Sequence, residues 1–178
     1  LAPYGEPKYL KELEEILHIT DDGFFRLNKK YFKHFNNGVA MYWENGSPVV
    51  ESLFTDEWCK LLFEKRKKGE KLEQFHIDLA SSAQKFIEDA IFHMLNFLHI
   101  KTGVDNICIT GGVAQNSVVN GKIIENTPFK EIYIPSAAHD AGTSIGSALF
   151  LYHQLLNKER LPETKTAYFG KKSTQKEI

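Results

Sequence analysis

The sequence predicts an α/β fold in which a few short strands pack against long helices. Three observations support this prediction. Apolar residues recur with helical spacing over residues 78–100. Two short apolar runs, residues 106–110 and 130–134, each lead into a glycine-marked turn. A further helical pattern follows each turn, over residues 113–126 and 143–156.

The amino-terminal part of the chain predicts shorter elements. Residues 8–18 carry a helical apolar stripe, and residues 23–28 follow a turn as a short strand. Residues 51–63 favour one or two short helices, whereas the aromatic-rich residues 31–43 show no assignable period. The charge-rich residues 64–73 predict a solvated loop because such a stretch cannot bury itself, with a phosphate- or partner-binding arm as the alternative.

The composition limits the kind of protein. The 178 residues suffice for one core of ordinary size, and the net charge of −1 gives no electrostatic reason to expect a nucleic acid partner. No apolar run approaches the roughly 18 residues of a membrane-spanning helix, so we expect no membrane partner. Cys59 and Cys108 form neither a disulfide framework nor a CxxC metal pair, which favours a cytoplasmic location.

Two expectations concern burial in the second half of the chain. Cys108 lies inside an apolar strand and is expected in the core. The last predicted helix has an apolar side that should face inward, formed by Ile145, Leu149, Tyr152 and Leu156.

The first glycine-marked turn is a candidate nucleotide site. Gly111 and Gly112 follow an apolar run, and a glycine pair allows both a sharp turn and close approach of a ligand to the backbone. Unpaired N–H groups at the start of the following helix suit phosphate. Asn116 lies one turn further on, where its amide could reach a ribose or a base. A plain tight strand–helix turn explains the same glycines equally well.

The second turn adds a carboxylate, Asp140, among small residues at a helix start. Helices favour aspartate at this position electrostatically, so a capping role is one interpretation. The other interpretation is a ligand for a hard metal ion beside a phosphate. Position alone favours the cap. His139 is kept out of the metal's ligand set because adjacent residues rarely point at the same ion.

Several motifs, in this order along the chain, resemble those of the nodulation- and antibiotic-type carbamoyltransferases. They are L-A-P-Y-G at residues 1–5, D-L-A-x3-Q at residues 78–84, T-G-G-V-A-x-N at residues 110–116 and H-D-A-G-T at residues 139–143. The resemblance therefore spans nearly the whole chain, which makes it far more specific than any one motif.

The resemblance implies a fold and a division of the chain. Residues 1–156 would be the second half of an actin/Hsp70/sugar-kinase-like (ribonuclease H-like) domain, with a sheet flanked by long helices. Residues 157–178 would be a polar linker towards a carboxy-terminal module that makes adenylates. The family's histidine motif and first half-domain would lie upstream of Leu1.

The resemblance also implies an activity and its cofactors. Carbamoyl phosphate and ATP would yield carbamoyl-adenylate, from which the carbamoyl group passes to a hydroxyl of a small-molecule substrate beside a divalent metal, Fe or else Mg or Mn. Gly111, Gly112, Val113 and Asn116 would lie along the nucleotide, and Asp140 would be a metal ligand. The resemblance assigns no catalytic role to any residue of this chain. The chain alone is expected to be inactive and, with an apolar crevice wall exposed, to favour self-association as a homodimer.

Two alternatives stay open at this stage. An ATP-dependent phosphotransferase of the same fold superfamily would transfer phosphate rather than carbamate. A non-catalytic nucleotide-binding or scaffold module would bind ATP without turning over carbamoyl phosphate.

Overall fold

The structure, a computed structural model, describes residues 1–162 and Thr174 and divides into two compact units. The first unit is Leu1–Gly103 and the second is Val104–Ile178. Both contain helices and small two-stranded sheets, so the chain is mixed α/β as predicted. Most of the predicted linker, residues 157–178, lies outside the described residues.

The first unit contains three helices and two hairpins among its described elements. The helices are α1 (Leu10–Ile16), α2 (Glu57–Leu61) and α3 (Gln74–Thr102), and short 3-10 turns lie at Ala2–Tyr4, Lys29–Tyr31 and Lys33–Phe35. The strands are β1 (Leu17–Ile19), β2 (Phe25–Leu27), β3 (Met41–Glu44) and β4 (Ser47–Val50). β1 pairs antiparallel with β2, and β3 pairs antiparallel with β4.

The core of the first unit joins α1, the aromatic stretch and α3. Leu13, Ile16, Tyr31 and Phe86 form its buried cluster. Trp58 packs against this cluster, and its indole Nε1 donates a hydrogen bond to the Tyr31 carbonyl at 2.8 Å. The predicted helical stripes of residues 8–18 and 51–63 thus supply core contacts.

Helix α3 is longer at both ends than the periodicity of residues 78–100 predicts. At its start, Glu73 and His76 form a reciprocal capping box. At its end, Gly103 takes the left-handed conformation with φ of 64°, which glycine adopts without steric cost. Neither signal depends on apolar spacing, so the stripe alone could not locate these ends.

Asp78 ties the amino-terminal segment to α3. Its carboxylate, only 4% exposed, accepts hydrogen bonds from the Glu6 N–H at 3.0 Å, the Gln74 amide at 2.9 Å and the Lys8 ammonium at 2.9 Å. The Glu6 hydrogen bond, followed by those from Lys8 and Gln74, lowers the pKa of Asp78 from 3.8 to about 2. Gly5 completes the contact, because a Cβ there would overlap the Ile77 carbonyl.

The second unit contains one parallel strand pair and several short helices among its described residues. The strands are β5 (Asn106–Cys108) and β6 (Glu131–Tyr133), and the α-helices are α4 (Ser117–Asn120), α5 (Ile123–Asn126) and α6 (Thr143–Phe150). Single 3-10 turns lie at Gly112–Gln115 and Asp140–Gly142, and a π-helical turn, Leu151–Leu155, extends α6. The buried residues of this unit are Ala114, Val119, Ile123, Phe129 and Ala138.

Three sequence-based expectations for this unit are wrong. The helix predicted over residues 113–126 is broken into three short pieces, because Asn116 takes an extended conformation and caps α4 instead of continuing a helix. Cys108 is exposed rather than buried, because β5 pairs only with β6. Leu149, Tyr152 and Leu156 are also exposed, so their side of the last helix does not face a core within the described residues.

No helix in the described part of the chain is both long and apolar enough to cross a bilayer.

Asp78 should make the free energy of unfolding of the chain depend on pH in the acid range. The unfolded carboxyl, with its pKa near 3.8, takes up a proton before the folded one, whose pKa is about 2. The stabilisation is therefore complete above about pH 4, declines as the pH falls towards 2 and is lost below it. Urea denaturation followed by circular dichroism from pH 5 to 2 should show a shallower pH dependence for Asp78→Asn than for wild type.

Asp89→Asn is the matched control, because Asp89 lies on the same helix with its side chain 43% exposed. It should retain the wild-type pH dependence. An unchanged slope in Asp78→Asn would contradict the assignment.

Candidate functional site

The two glycine-marked turns are joined through one backbone carbonyl. The Gly111 N–H donates to the Ala138 carbonyl at 2.7 Å, and the Thr110 hydroxyl donates to the same oxygen at 3.0 Å. Ala138 is only 3% exposed, so the shared acceptor is buried. The structure thus brings together the two turns that the sequence singles out.

A cavity of about 810 Å³ lies beside the joined turns. This volume is within the range of roughly 300–1,000 Å³ that is usual for small-molecule sites. Its lining combines the ends of β5 and β6, the second turn and the inner side of α6: Cys108, Thr110, Gly111, Tyr133, Ile134, Pro135, Ser136, Ala137, Ala138, His139, Asp140, Gly142, Thr143, Ile145, Gly146 and Leu149. The lining therefore combines small and polar residues of the two turns with apolar side chains of β6 and α6.

Gly111 and Gly112 differ in whether the backbone itself requires glycine. Gly111 has φ of 99° and ψ of 166°, a region essentially restricted to glycine. Gly112 has no such positive φ, and a Cβ at either position would meet open space. The backbone therefore requires glycine at Gly111, whereas at Gly112 only a ligand or partner would require it.

The predicted nucleotide-binding residues separate into two groups. Gly111 lines the cavity, while Gly112, Val113 and Asn116 lie outside its lining. The Asn116 side chain accepts a hydrogen bond from the Val119 N–H at 3.2 Å and so caps α4. Val113 is 60% exposed. A ligand that touched all four residues would have to extend from the cavity along the outside of the first turn.

Asp140 is not the capping residue of its turn, although capping was the alternative to a role as a metal ligand. His139 is the cap of the 3-10 turn, and its Nδ1 accepts a hydrogen bond from the Ala141 N–H at 3.3 Å. Asp140 is the first residue of that turn, is exposed and lines the cavity. Its backbone carbonyl, not its carboxylate, accepts the hydrogen bond from the Thr143 hydroxyl, at 2.6 Å. The carboxylate is thus available to a ligand in the cavity.

Asp140 alone does not make a metal centre. Within residues 1–162 and Thr174, no three His, Cys, Asp or Glu side chains are grouped as a metal site would need. A metal held by Asp140 would therefore take further ligands from outside the described residues or from a substrate.

Two residues shape the site without being predicted in it. A Cβ on Gly142 would overlap the Ala137 carbonyl, so only glycine allows the start of α6 to approach the second turn this closely. Thr110 supplies the side-chain hydrogen bond to Ala138. The sequence signal for both is the concentration of small residues in the two turns, which indicates close backbone approach without showing between which atoms.

Two strand-ending turns tied together beside a cavity of ligand size form a candidate small-molecule site in an α/β unit. Comparison with known proteins identifies the family. A family model described as carbamoyltransferase N-terminus matches residues 1–149. The chain therefore belongs to the carbamoyltransferase family whose amino-terminal region this model describes.

Relatives of known sequence include two nodulation proteins. The chain is 32% identical to nodulation protein NolNO of Sinorhizobium fredii over 174 residues, and 30% identical to nodulation protein NolO of Bradyrhizobium diazoefficiens over 174 residues, in both cases with 96% of the chain covered. It is 37% identical, over its whole length, to the protein sll1178 of Synechocystis sp.. The chain spans 28% of sll1178, 22% of NolNO and 27% of NolO.

Gly142 and Gly146 offer a matched test of the close approach between α6 and the second turn. Both line the cavity, but a Cβ on Gly146 would meet no atom within 4 Å. Gly142→Ala should lower the free energy of unfolding by about 1–3 kcal/mol through overpacking. Gly146→Ala should leave it unchanged or raise it by up to about 1 kcal/mol, because alanine favours the helix.

Urea denaturation of the two variants and the wild type measures this difference. Equal stability of Gly142→Ala and Gly146→Ala would show that the turn relaxes freely around a methyl group.

Proposed function

We propose that the polypeptide containing this chain is a carbamoyltransferase that moves a carbamoyl group from carbamoyl-adenylate to a hydroxyl of a small molecule. The observation that carries the proposal is the free carboxylate of Asp140 at a cavity framed by the two joined turns. Membership of the carbamoyltransferase family supports the transferred group. Two relatives are nodulation proteins, which suits a biosynthetic role.

In this proposal the adenylate lies along the first turn. Its phosphate approaches the backbone at Gly111 and Gly112, where the absence of a Cβ leaves open space. The remainder of the nucleotide extends past Val113 towards Asn116. The Asn116 carboxamide also caps α4.

The Asp140 carboxylate would supply one ligand to a hard divalent cation, since such ions prefer carboxylate oxygens, and the remaining ligands would come from outside the described residues or from the substrate. When bound, the metal would neutralise phosphate charge and polarise the carbamoyl carbonyl. The chain's own contribution is to hold Asp140 in place: the His139 cap and the hydrogen bond from Thr143 fix the backbone on either side of it. The hydroxyl oxygen of the acceptor would then bond to the carbamoyl carbon while its proton passes to solvent. The bond from that carbon to the phosphate oxygen breaks, and AMP leaves.

The fold proposal follows from the same family membership. We infer that the chain forms the second half of an actin/Hsp70/sugar-kinase-like domain, which would place further strands beside the pair β5 and β6. Carbamoyl phosphate and ATP would be converted to the adenylate by another module of the same polypeptide.

Asp140→Ala in the natural full-length polypeptide should reduce metal-dependent carbamoyl transfer at least about 100-fold, the scale of losing one electrostatic stabiliser of a transition state. Transfer of 14C from labelled carbamoyl phosphate to the acceptor measures the rate. Because the Asp140 side chain is exposed and the hydrogen bond from Thr143 goes to its backbone carbonyl, circular dichroism and the thermal midpoint should be unchanged.

Glu125→Gln is the control, since this exposed carboxylate lies outside the cavity lining and should leave transfer unchanged. Wild-type activity in Asp140→Ala would refute the metal assignment. The same assay with ATP labelled in its γ-phosphate distinguishes the alternatives: label in the acceptor indicates a phosphotransferase, and ATP binding without transfer indicates a non-catalytic module.

Gly112→Val should weaken ATP binding without loss of stability. The backbone at Gly112 tolerates a side chain, so a branched one obstructs only a ligand that lies along the turn. We expect a dissociation constant at least about tenfold higher, which corresponds to about 1.4 kcal/mol. Isothermal titration calorimetry with the full-length polypeptide measures it, with the ATP site of the adenylate-forming module fitted as a second site that the substitution leaves unchanged. Unchanged affinity together with unchanged stability would exclude the proposed nucleotide position.

A further inference from the structure

The imidazole of His139 is exposed, and His139 lines the cavity beside the two turns. Its Nδ1 accepts the hydrogen bond from the Ala141 N–H at 3.3 Å. A ring nitrogen that accepts a hydrogen bond carries no proton, so the proton of the neutral ring is on Nε2. Within residues 1–162 and Thr174, Nε2 takes part in no hydrogen bond. The cap therefore leaves Nε2–H as a donor for a ligand.

Side-chain donors are few in this cavity. The described residues that line it include no Lys, Arg, Asn, Gln or Trp. The hydroxyls of Thr110 and Thr143 already donate to backbone carbonyls. Ser136 and Tyr133 offer further hydroxyls, but the proton of a hydroxyl rotates, whereas an imidazole N–H has a direction fixed by the ring. His139 is thus the lining side chain that presents a nitrogen donor of fixed direction.

The backbone also holds His139 next to the first turn. The peptide bond that joins Ala138 to His139 contains the carbonyl that accepts from the Gly111 N–H at 2.7 Å and from the Thr110 hydroxyl at 3.0 Å. On the side of the first turn, a Cβ at Gly111 or Gly112 would meet no atom within 4 Å. His139 is therefore tied to the turn whose open space suits the approach of a phosphate.

We propose that His139 recognises the nucleotide, with its Nε2–H donating a hydrogen bond to a phosphate oxygen. The proposal rests on the proposed function for the presence of an adenine nucleotide, and it adds the side chain that distinguishes the phosphate from the nucleoside. A neutral donor suits this position. A permanent cation beside Asp140 would repel the metal ion that this carboxylate is proposed to bind.

Two substitutions separate the donor from the cap. In His139→Asn the amide oxygen takes the place of Nδ1, and asparagine is among the preferred capping residues, so the Ala141 N–H keeps an acceptor. The asparagine side chain is too short to replace Nε2. In His139→Gln the longer side chain brings an amide N–H to the reach of Nε2, while the acceptor at the position of Nδ1 is lost.

Isothermal titration calorimetry of the natural full-length polypeptide with AMP and with adenosine tests the proposal, since the two ligands differ only in the phosphate. The site of the adenylate-forming module is fitted separately. His139→Asn should weaken AMP binding about 10–100-fold, the scale of a hydrogen bond to a charged acceptor, and leave adenosine binding unchanged. Its thermal midpoint should equal that of the wild type, because the cap is kept. His139→Gln should keep most of the affinity for AMP and have a lower thermal midpoint.

Unchanged AMP affinity in His139→Asn overturns the proposal. Equal weakening of AMP and adenosine also overturns it, because the imidazole would then only hold the turn in place. A wild-type protein that binds AMP and adenosine alike at this site overturns it without any variant. Neither ligand contains a carbamoyl group, so a failure of the proposed carbamoyl transfer is seen in the assay of Asp140→Ala and not in this one.

Discussion

The carbonyl oxygen of Ala138 is the acceptor on which the candidate site depends. It binds the Gly111 N–H and the Thr110 hydroxyl, which lie 27 and 28 residues earlier in the chain. A buried carbonyl that lost its donors would cost about 1–3 kcal/mol, so the second turn cannot move away from the first without a penalty of that size. The cavity and the carboxylate of Asp140 keep their relation to the glycine pair for this reason.

Elements with a strong apolar period were predicted well, and elements determined by single turn residues were not. Apolar spacing predicts helix α3, and short apolar runs predict β5 and β6, whereas the aromatic-rich residues that lead into the hairpin of β3 and β4 show no assignable period. Its turn, Asn45-Gly46, has positive φ at both residues, and Asn-Gly between alternating residues is a strong hairpin signal. The broken helix after Gly112 has a similar cause, because Asn116 bonds to the backbone of the next turn and so begins a new helix.

The candidate site was predictable in its residue types and less so in its contacts. The sequence identifies both turns, but position alone favours Asp140 as the cap, whereas His139 caps the 3-10 turn. Either side chain can accept from an N–H group, so position does not decide between them. The sequence also places Cys108 and Leu149 in a core. Both side chains are apolar, which suits a core, but both are exposed in the structure. Burial depends on the elements that pack against a residue, and a local sequence pattern does not specify those elements.

The close approach of Gly142 to Ala137 also restricts the length of the second turn. The chain leaves β6 at Tyr133, reaches the Ala138 carbonyl and closes on itself at Gly142, so every residue of this segment has a fixed place. An inserted or deleted residue between Ala138 and Gly142 would displace Asp140 from the cavity or break the contact at Ala137. Homologous enzymes that keep this site should therefore vary in the residues of the segment but not in its length.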